Sequence, residues 1–405
     1  MKTSNHVIKS LQEKLESDKL LEELLEKSIK HADELAQEKL DQVLYNALCW
    51  PKTIHEYITY LENFAKWTPN QDGDAWIDPD NNQNQEVSDR LGHFYWLIDQ
   101  KIKLENNQEP QKIQNDPWFS KWLSDYADLW GSFLNTPDSF SDSVLESFIE
   151  KSPRYNIQDS MITDAETGIF RPNSPSGWLT FNQFFARDLN PGLRPIDSPN
   201  DNTVIVSPAD CTYKTKFDIS ADSTINKIKI KKTHTFASIN ELLTDSPYQN
   251  DFTNGTFTHS FLGPYDYHRF HAPVSGKVLE CRPVQGLVYC TVYIDGQMQF
   301  DGDDSSLDGY EFSQARGIII LDTAQSHYQN IGKVAIIPVG MCQVSSVNMT
   351  ATVGSTLLKG NEFGYFLFGG SDIIMLFQNG VDPKLDQRPV HHKYGSKVAT
   401  CRPLE

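Results

Sequence analysis

Apolar positions near the front of the chain recur at helical spacing. Leu11, Leu15, Leu21, Leu24 and Leu25 have Glu and Lys between them, which predicts an amphipathic helical segment. Ordinary packing is the favoured reading of this stripe, ahead of a docked partner helix. Ile54, Tyr57, Ile58 and Leu61 predict a helix over 53–66 that starts near Thr53. Further helices are expected near 86–103, 116–134 and 140–151. Residues 152–200 are rich in Ser, Pro and Asn. Pro172-Asn173-Ser174-Pro175-Ser176-Gly177 and Pro191-Gly192-Leu193-Arg194-Pro195 carry turn chemistry, so this stretch reads as a connector. Beyond 200 the period changes. Asn226-Lys227-Ile228-Lys229-Ile230-Lys231 alternates like a half-exposed strand. The runs 317–321, 334–339 and 373–377 read as buried strands. The pattern predicts an α+β chain: a helical N-terminal domain over 1–151, a connector over 152–200 and a mostly β domain over 201–405.

Charge supports two unlike halves. Residues 1–150 hold 14 Lys and Arg against 28 Asp and Glu, whereas the remaining 255 hold 22 against 26. Seven of the eight tryptophans fall in the first 150 residues. The net charge of -18 argues against nucleic acid or an anionic membrane as the main partner. Six cysteines without a C-x-x-C pair suit a reducing cytoplasm. No run of about 18 apolar residues predicts a membrane-spanning helix. Met1-Lys2-Thr3-Ser4-Asn5-His6 leads into a charged helix, so no secretory leader is expected.

Common site templates fail. The chain has no G-x-G-x-x-G, no Walker loop and no H-E-x-x-H. The acidic loop from Asp301 to Asp308 begins like a calcium loop. It places Ser306 at the sharp turn and Phe312 where a bidentate Glu is required, so it reads as a solvated loop. His268 and His271 lie three apart in Tyr267-His268-Arg269-Phe270-His271. Spacing alone leaves metal binding, catalysis and plain packing open, with packing favoured. Gly369-Gly370-Ser371 precedes an apolar strand. It can be a plain turn, with glycine supplying positive φ. It also has a chemical reading. A serine after glycine can attack the unshielded preceding carbonyl, and elimination from the resulting ester leads to a pyruvoyl group, an electron sink made from the chain itself.

Several segments, in order, resemble the phosphatidylserine decarboxylase family of pyruvoyl enzymes. These are Phe184-Phe185-Ala186-Arg187-Asp188-Leu189 with Pro191-Gly192-Leu193-Arg194-Pro195-Ile196, then Ser207-Pro208-Ala209-Asp210. The run Leu262–Gly276 is similar to its D-Y-H-R-x-H-x-P-x-x-G signature. Lys359-Gly360-Asn361-Glu362-Phe363-Gly364-Tyr365-Phe366, followed by Phe368-Gly369-Gly370-Ser371, is similar to its cleavage region. The likeness covers about 180–385. It implies that the chain is cut between Gly370 and Ser371 into β and α chains, and that Ser371 becomes the pyruvoyl cofactor, with no pyridoxal phosphate and no metal. It implies that His271 activates Ser371, that Asp210 orients His271, and that His268 faces the substrate and assists decarboxylation or protonation.

Three positions depart from the family pattern: Asp372 where Thr or Ser is usual, Cys211 for a glycine, and Val344-Ser345-Ser346-Val347 for V-G-S-I. The charge of Asp372 beside the scissile bond is expected to hinder ester formation, and Cys211 is expected to pack. The helical front resembles the soluble branch of the family, which implies decarboxylation of a free L-amino acid such as L-tryptophan through a Schiff base. The alternatives are phosphatidylserine as substrate and an uncleaved, non-enzymatic binding module. A hybrid-barrel zinc peptidase lacks its H-x-H ligand pair, since His391-His392 is adjacent. A homo-oligomer stays open.

Overall fold

The computed structural model describes residues 4–105, 109–229, 236–302, 309–342, 346–385 and 388–404. The end of the expected strand 226–231, most of the acidic loop and Val344-Ser345 lie outside these residues. The chain forms two compact units, Met1–Phe184 with Leu287–Asp303, and Phe185–Gly286 with Asp304–Glu405.

The first unit is helical, with main helices at Ser4–Ser17, Lys19–Lys39, Ile54–Phe64, Glu86–Trp96, Pro117–Leu134 and Asp142–Lys151. Four of these six carry side-chain caps at their starts that satisfy orphan amides. Asp18 accepts from Leu21, Thr53 from Glu56, Asp116 from Trp118 and Phe119, and Ser141 from Val144. The leucine stripe is buried, and Phe64, Phe94, Tyr126 and Trp130 pack as one aromatic group. The helix expected over 86–103 stops at Trp96. Beyond it the Asp99 carboxylate is claimed by Lys112 at 2.6 Å and by the Val292 amide at 3.2 Å, tertiary bonds that outweigh helix continuation.

The unit's boundaries differ from those read from composition. Residues 152–184 pack with the helices, where Phe148 meets Tyr155, Phe181 and Phe184. The hairpin Val292–Ile294/Phe300–Gly302 also joins this unit, with Phe300 against Trp96 and the Gln114 amide donating to the Cys290 carbonyl.

The second unit is mostly β. Eight antiparallel strands form one sheet in the order Thr356–Leu357, Gly276–Val284, Arg316–Asp322, Lys333–Met341, Gly370–Phe377, Thr256–Leu262, Cys211–Asp218 and Val390–His392. Side chains alternate between its faces. Ile374 and Leu376 point into a core with Phe257, Ile320, Ala335 and Ile337, closed by Ile225, Leu242, Phe252 and Phe312. Ser371, Ile373 and Met375 take the other face. A three-stranded sheet, Val347–Met349, Glu362–Phe366 and Arg269–His271, covers that side. There Met349 Sδ lies 2.2 Å from where a Cβ on Gly317 would stand, so the layers meet this closely only over glycine. Both faces of the Ser371 strand are thus covered, which is why 373–377 reads as an unbroken apolar run.

Candidate active site

Ser371 is the second residue of the Gly370–Phe377 strand, opposite Gly340 on one side and Leu262 on the other. It is fully buried, and its Oγ has no hydrogen-bond partner among the described residues. An orphaned buried hydroxyl is costly in a plain core and ordinary in a nucleophile awaiting its reaction. The left-handed φ of +148° at Gly369 suits glycine.

His271 ends the strand Arg269–His271, and its own amide donates to the Pro208 carbonyl. The two motif blocks are therefore threaded together by backbone bonds. Its Nδ1 lies 3.0 Å from the Gly360 carbonyl, and Nε2 lies 3.3 Å from Tyr267 Oη. A carbonyl only accepts, so Nδ1 carries the proton and Nε2 the lone pair. Burial pushes the His271 pKa down to about 4, so at neutral pH this ring is an uncharged base. Tyr394 stacks on it at 3.7 Å with the planes 3° apart.

Asp210 stands next to this arrangement, and its carboxylate is turned elsewhere. Arg194 grips it through a fork, with Nη2 to Oδ2 at 2.6 Å and Nε to Oδ1 at 3.1 Å. The Tyr394 amide donates to Oδ1 at 2.8 Å. Among the described residues, the tautomer of His271 is fixed by Gly360 rather than by Asp210. A buried, bidentate guanidinium outcompetes an imidazole for a carboxylate. Asp210 still acts on His271, through its field and through the Tyr394 backbone.

His268 faces the opposite way from His271. It stacks on Phe185 at 4.0 Å and meets Phe366 edge-on, and Phe185 in turn touches Phe368 just ahead of the glycine pair. It is fully buried with neither ring nitrogen hydrogen-bonded among the described residues, and burial, aided by the Arg187 charge, pushes its pKa down to about 3. The described residues contain no hydrogen bond from Ser371 to His271 or His268. They also hold no group of three or more His, Cys, Asp or Glu arranged for a metal. Cys211 is buried with its pKa pushed up to about 12, so its thiol stays protonated and packs beside Ser207.

A sequence profile of phosphatidylserine decarboxylase matches residues 181–400. The chain belongs to the phosphatidylserine decarboxylase family. This is a family of pyruvoyl-dependent carboxy-lyases. The decarboxylase iboD of Amanita muscaria is 27% identical over 282 residues, 64% of this chain and 77% of that protein. Phosphatidylserine decarboxylase proenzyme 2 of Oryza sativa subsp. japonica is 30% identical over 259 residues, 63% of this chain and 36% of that one. The phosphatidylserine decarboxylase proenzyme of Chlamydia trachomatis is 32% identical over 201 residues, 50% of this chain and 60% of its own length. The chain thus spans under two thirds of these two proenzymes.

Within this phosphatidylserine decarboxylase family member, the structure adds residues that had no role in the sequence reading. Arg194 holds Asp210. Lys359 donates to the carbonyls of Ser198, Asp201 and Val204, pinning the turn that presents Gly360. Glu362 takes Arg269 through two bonds of 2.9 and 3.0 Å, fixing the strand that carries His271. Their motif positions were a usable signal. Tyr394 lies far from every motif and gave none.

Proposed function

We propose that this chain is a self-processing, pyruvoyl-dependent decarboxylase of a free L-amino acid, with aromatic ones the first candidates, working in the cytoplasm. The carrying observation is the buried, unpartnered Ser371 Oγ directly after two glycines. For the first step, His271 Nε2 exchanges the Tyr267 hydroxyl for that of Ser371 and takes its proton. Oγ attacks the Gly370 carbonyl carbon, the Gly370–Ser371 amide bond breaks, and the proton passes to the released amine. Loss of the Cα proton of residue 371 and rupture of its Cβ–Oγ bond free Gly370 as a carboxylate and leave dehydroalanine. Water hydrolyses its imine tautomer, ammonia departs and the pyruvoyl group remains.

That group supplies a carbonyl to receive the electrons of the departing carboxylate. The surrounding residues fit it. Neutral His268 can hold the proton destined for the substrate Cα, and Phe185, Phe366 and Phe368 exclude water around it. The aromatic surround and full burial of Ser371 and His268 favour a small aromatic substrate. Greater coverage of a relative named simply a decarboxylase agrees with that choice. No helix among the described residues is long and apolar enough to cross a membrane. Phosphatidylserine is the second reading, favoured by the names of several relatives.

The test offers free L-amino acids, aromatic ones first, and phosphatidylserine vesicles to one batch of purified protein, with Ser371→Ala as control. A 35-residue C-terminal chain bearing a carbonyl, and carbon dioxide from a free amino acid in detergent-free buffer, are expected. Turnover of the lipid alone promotes the second reading. An uncleaved, carbonyl-free wild type makes the chain a binding module.

A further inference from the structure

The side chain after the scissile serine lies on the far face of the same strand. Asp372 is fully buried, directed to the same side as Ile374 and Leu376. His259, on the neighbouring strand Thr256–Leu262, is also fully buried and stands opposite Ile374, diagonal to Asp372. Its Nε2 lies 3.2 Å from Asp372 Oδ1, with the Tyr310 hydroxyl 3.5 Å from the same nitrogen. Neither residue takes part in the processing chemistry proposed above. A buried carboxylate has to be paired or neutralised, and this one sits one residue from the bond to be broken.

We propose that His259 is a positioning and charge-compensating partner that lets self-cleavage proceed at a site bearing aspartate. The inference rests on the self-processing reading of Ser371. Attack by Oγ places negative charge on the Gly370 carbonyl oxygen, and removal of the residue 371 Cα proton places it on that carbon and the residue 371 carbonyl oxygen. An unpaired Asp372 anion would oppose both through a low-dielectric core. His259 offsets that field from the opposite face, leaving the Ser371 side free for His271. After cleavage Asp372 becomes the second residue of the new chain. Its tie to His259 then holds the terminus in register beside Leu262 and Gly340.

The test follows conversion of freshly purified precursor into two chains on denaturing gels, with carbonyl content read by hydroxylamine labelling. His259→Leu should slow conversion by on the order of tenfold to a hundredfold. His259→Gln keeps a polar amide at the 3.2 Å contact but cannot be protonated there, and should recover only part. The double variant His259→Leu/Asp372→Asn should regain most of the wild-type rate, a rescue that lost packing alone would not allow. Near-ultraviolet circular dichroism identifies folded variants, and His259→Gln serves for the comparison if His259→Leu does not fold. A folded His259→Leu or His259→Gln chain that converts at the wild-type rate overturns the proposal. A delay that survives Asp372→Asn overturns it equally. A wild type that stays whole and carbonyl-free removes the processing reading and this inference with it, an outcome distinct from the other two.

Discussion

Removing Arg194 should expose how much of the site rests on one ion pair. Its side chain is 5% exposed and that of Asp210 7%, so Arg194→Met strands a carboxylate in the interior. The Tyr394 amide remains as a donor and is too weak to replace a bidentate guanidinium. Breaking a buried pair from one side costs about 3–5 kcal/mol. The double variant Arg194→Met/Asp210→Leu removes both charges and should lie within about 1 kcal/mol of the parent, because hydrophobic replacements of buried pairs are often neutral. Maturation should behave differently. Without Asp210 the Tyr394 backbone loses its anchor and the ring stacked on His271 shifts, so the double variant should process at least about tenfold slower. Stability is measured by urea titration in a Ser371→Ala background, which keeps cleavage out of the signal. All eight tryptophans lie in the helical unit, so their fluorescence reports that unit and should hold steady. Hydrogen exchange of the sheet amides reports the affected unit. A loss below about 1 kcal/mol for Arg194→Met, or wild-type maturation in the double variant, refutes this reasoning.

Two further outcomes follow from the same geometry. Gly360 has φ +85°, and a Cβ there would stand 2.6 Å from Ile196 Cδ1, so Gly360→Ala should cost about 1–3 kcal/mol and delay maturation by displacing the carbonyl that holds His271; a thermal melt and a cleavage time course check both. His271 titrates near 4 when folded and about 6.5 when unfolded, so the unfolded chain binds its proton first as pH falls. Stability should be full above about 6.5 and decline by up to roughly 3 kcal/mol toward pH 4, with His271→Asn showing a shallower decline in urea midpoints across the same range.

The sequence made the chemistry legible in blocks and left its wiring hidden. Capping residues, leucine spacing and the unbroken apolar run of 373–377 each act locally, so the helices and the central strand could be read directly. The glycine pair before Ser371 was equally local. The partner of Asp210 was not, because Arg194 and His271 compete for one carboxylate and only their placement decides the winner. The helix over 86–103 was overdrawn for a related reason. Asp99 and Gln100 look compatible with a helix until Lys112 and Val292 claim the carboxylate. Residues 287–303 return to the helical unit from within the β half, and a contact reached across 176 positions leaves no periodic trace. Its Asp295-Gly296 pair was a hairpin signal that went unused.

Cleavage at Gly370 would free a chain of 35 residues, too short to keep a core of its own. Its retention must come from pairing already made. Gly370–Phe377 lies between two strands of the larger fragment and fills both faces of the sheet, and Val390–His392 and Lys397–Thr400 each pair with strands from that fragment. His391 adds a bond to the buried Asp266 at 2.8 Å, and Tyr394 reaches Asp210 and His271. The same 35 residues therefore supply the reacting serine, one wall of the base and a backbone donor to its neighbouring carboxylate. A cut that left them loosely held would dismantle the site it creates. Burial of Ser371 inside the sheet, at the start of a strand paired on both sides, would let processing change the chemistry at residue 371 while the fold around it stays in place.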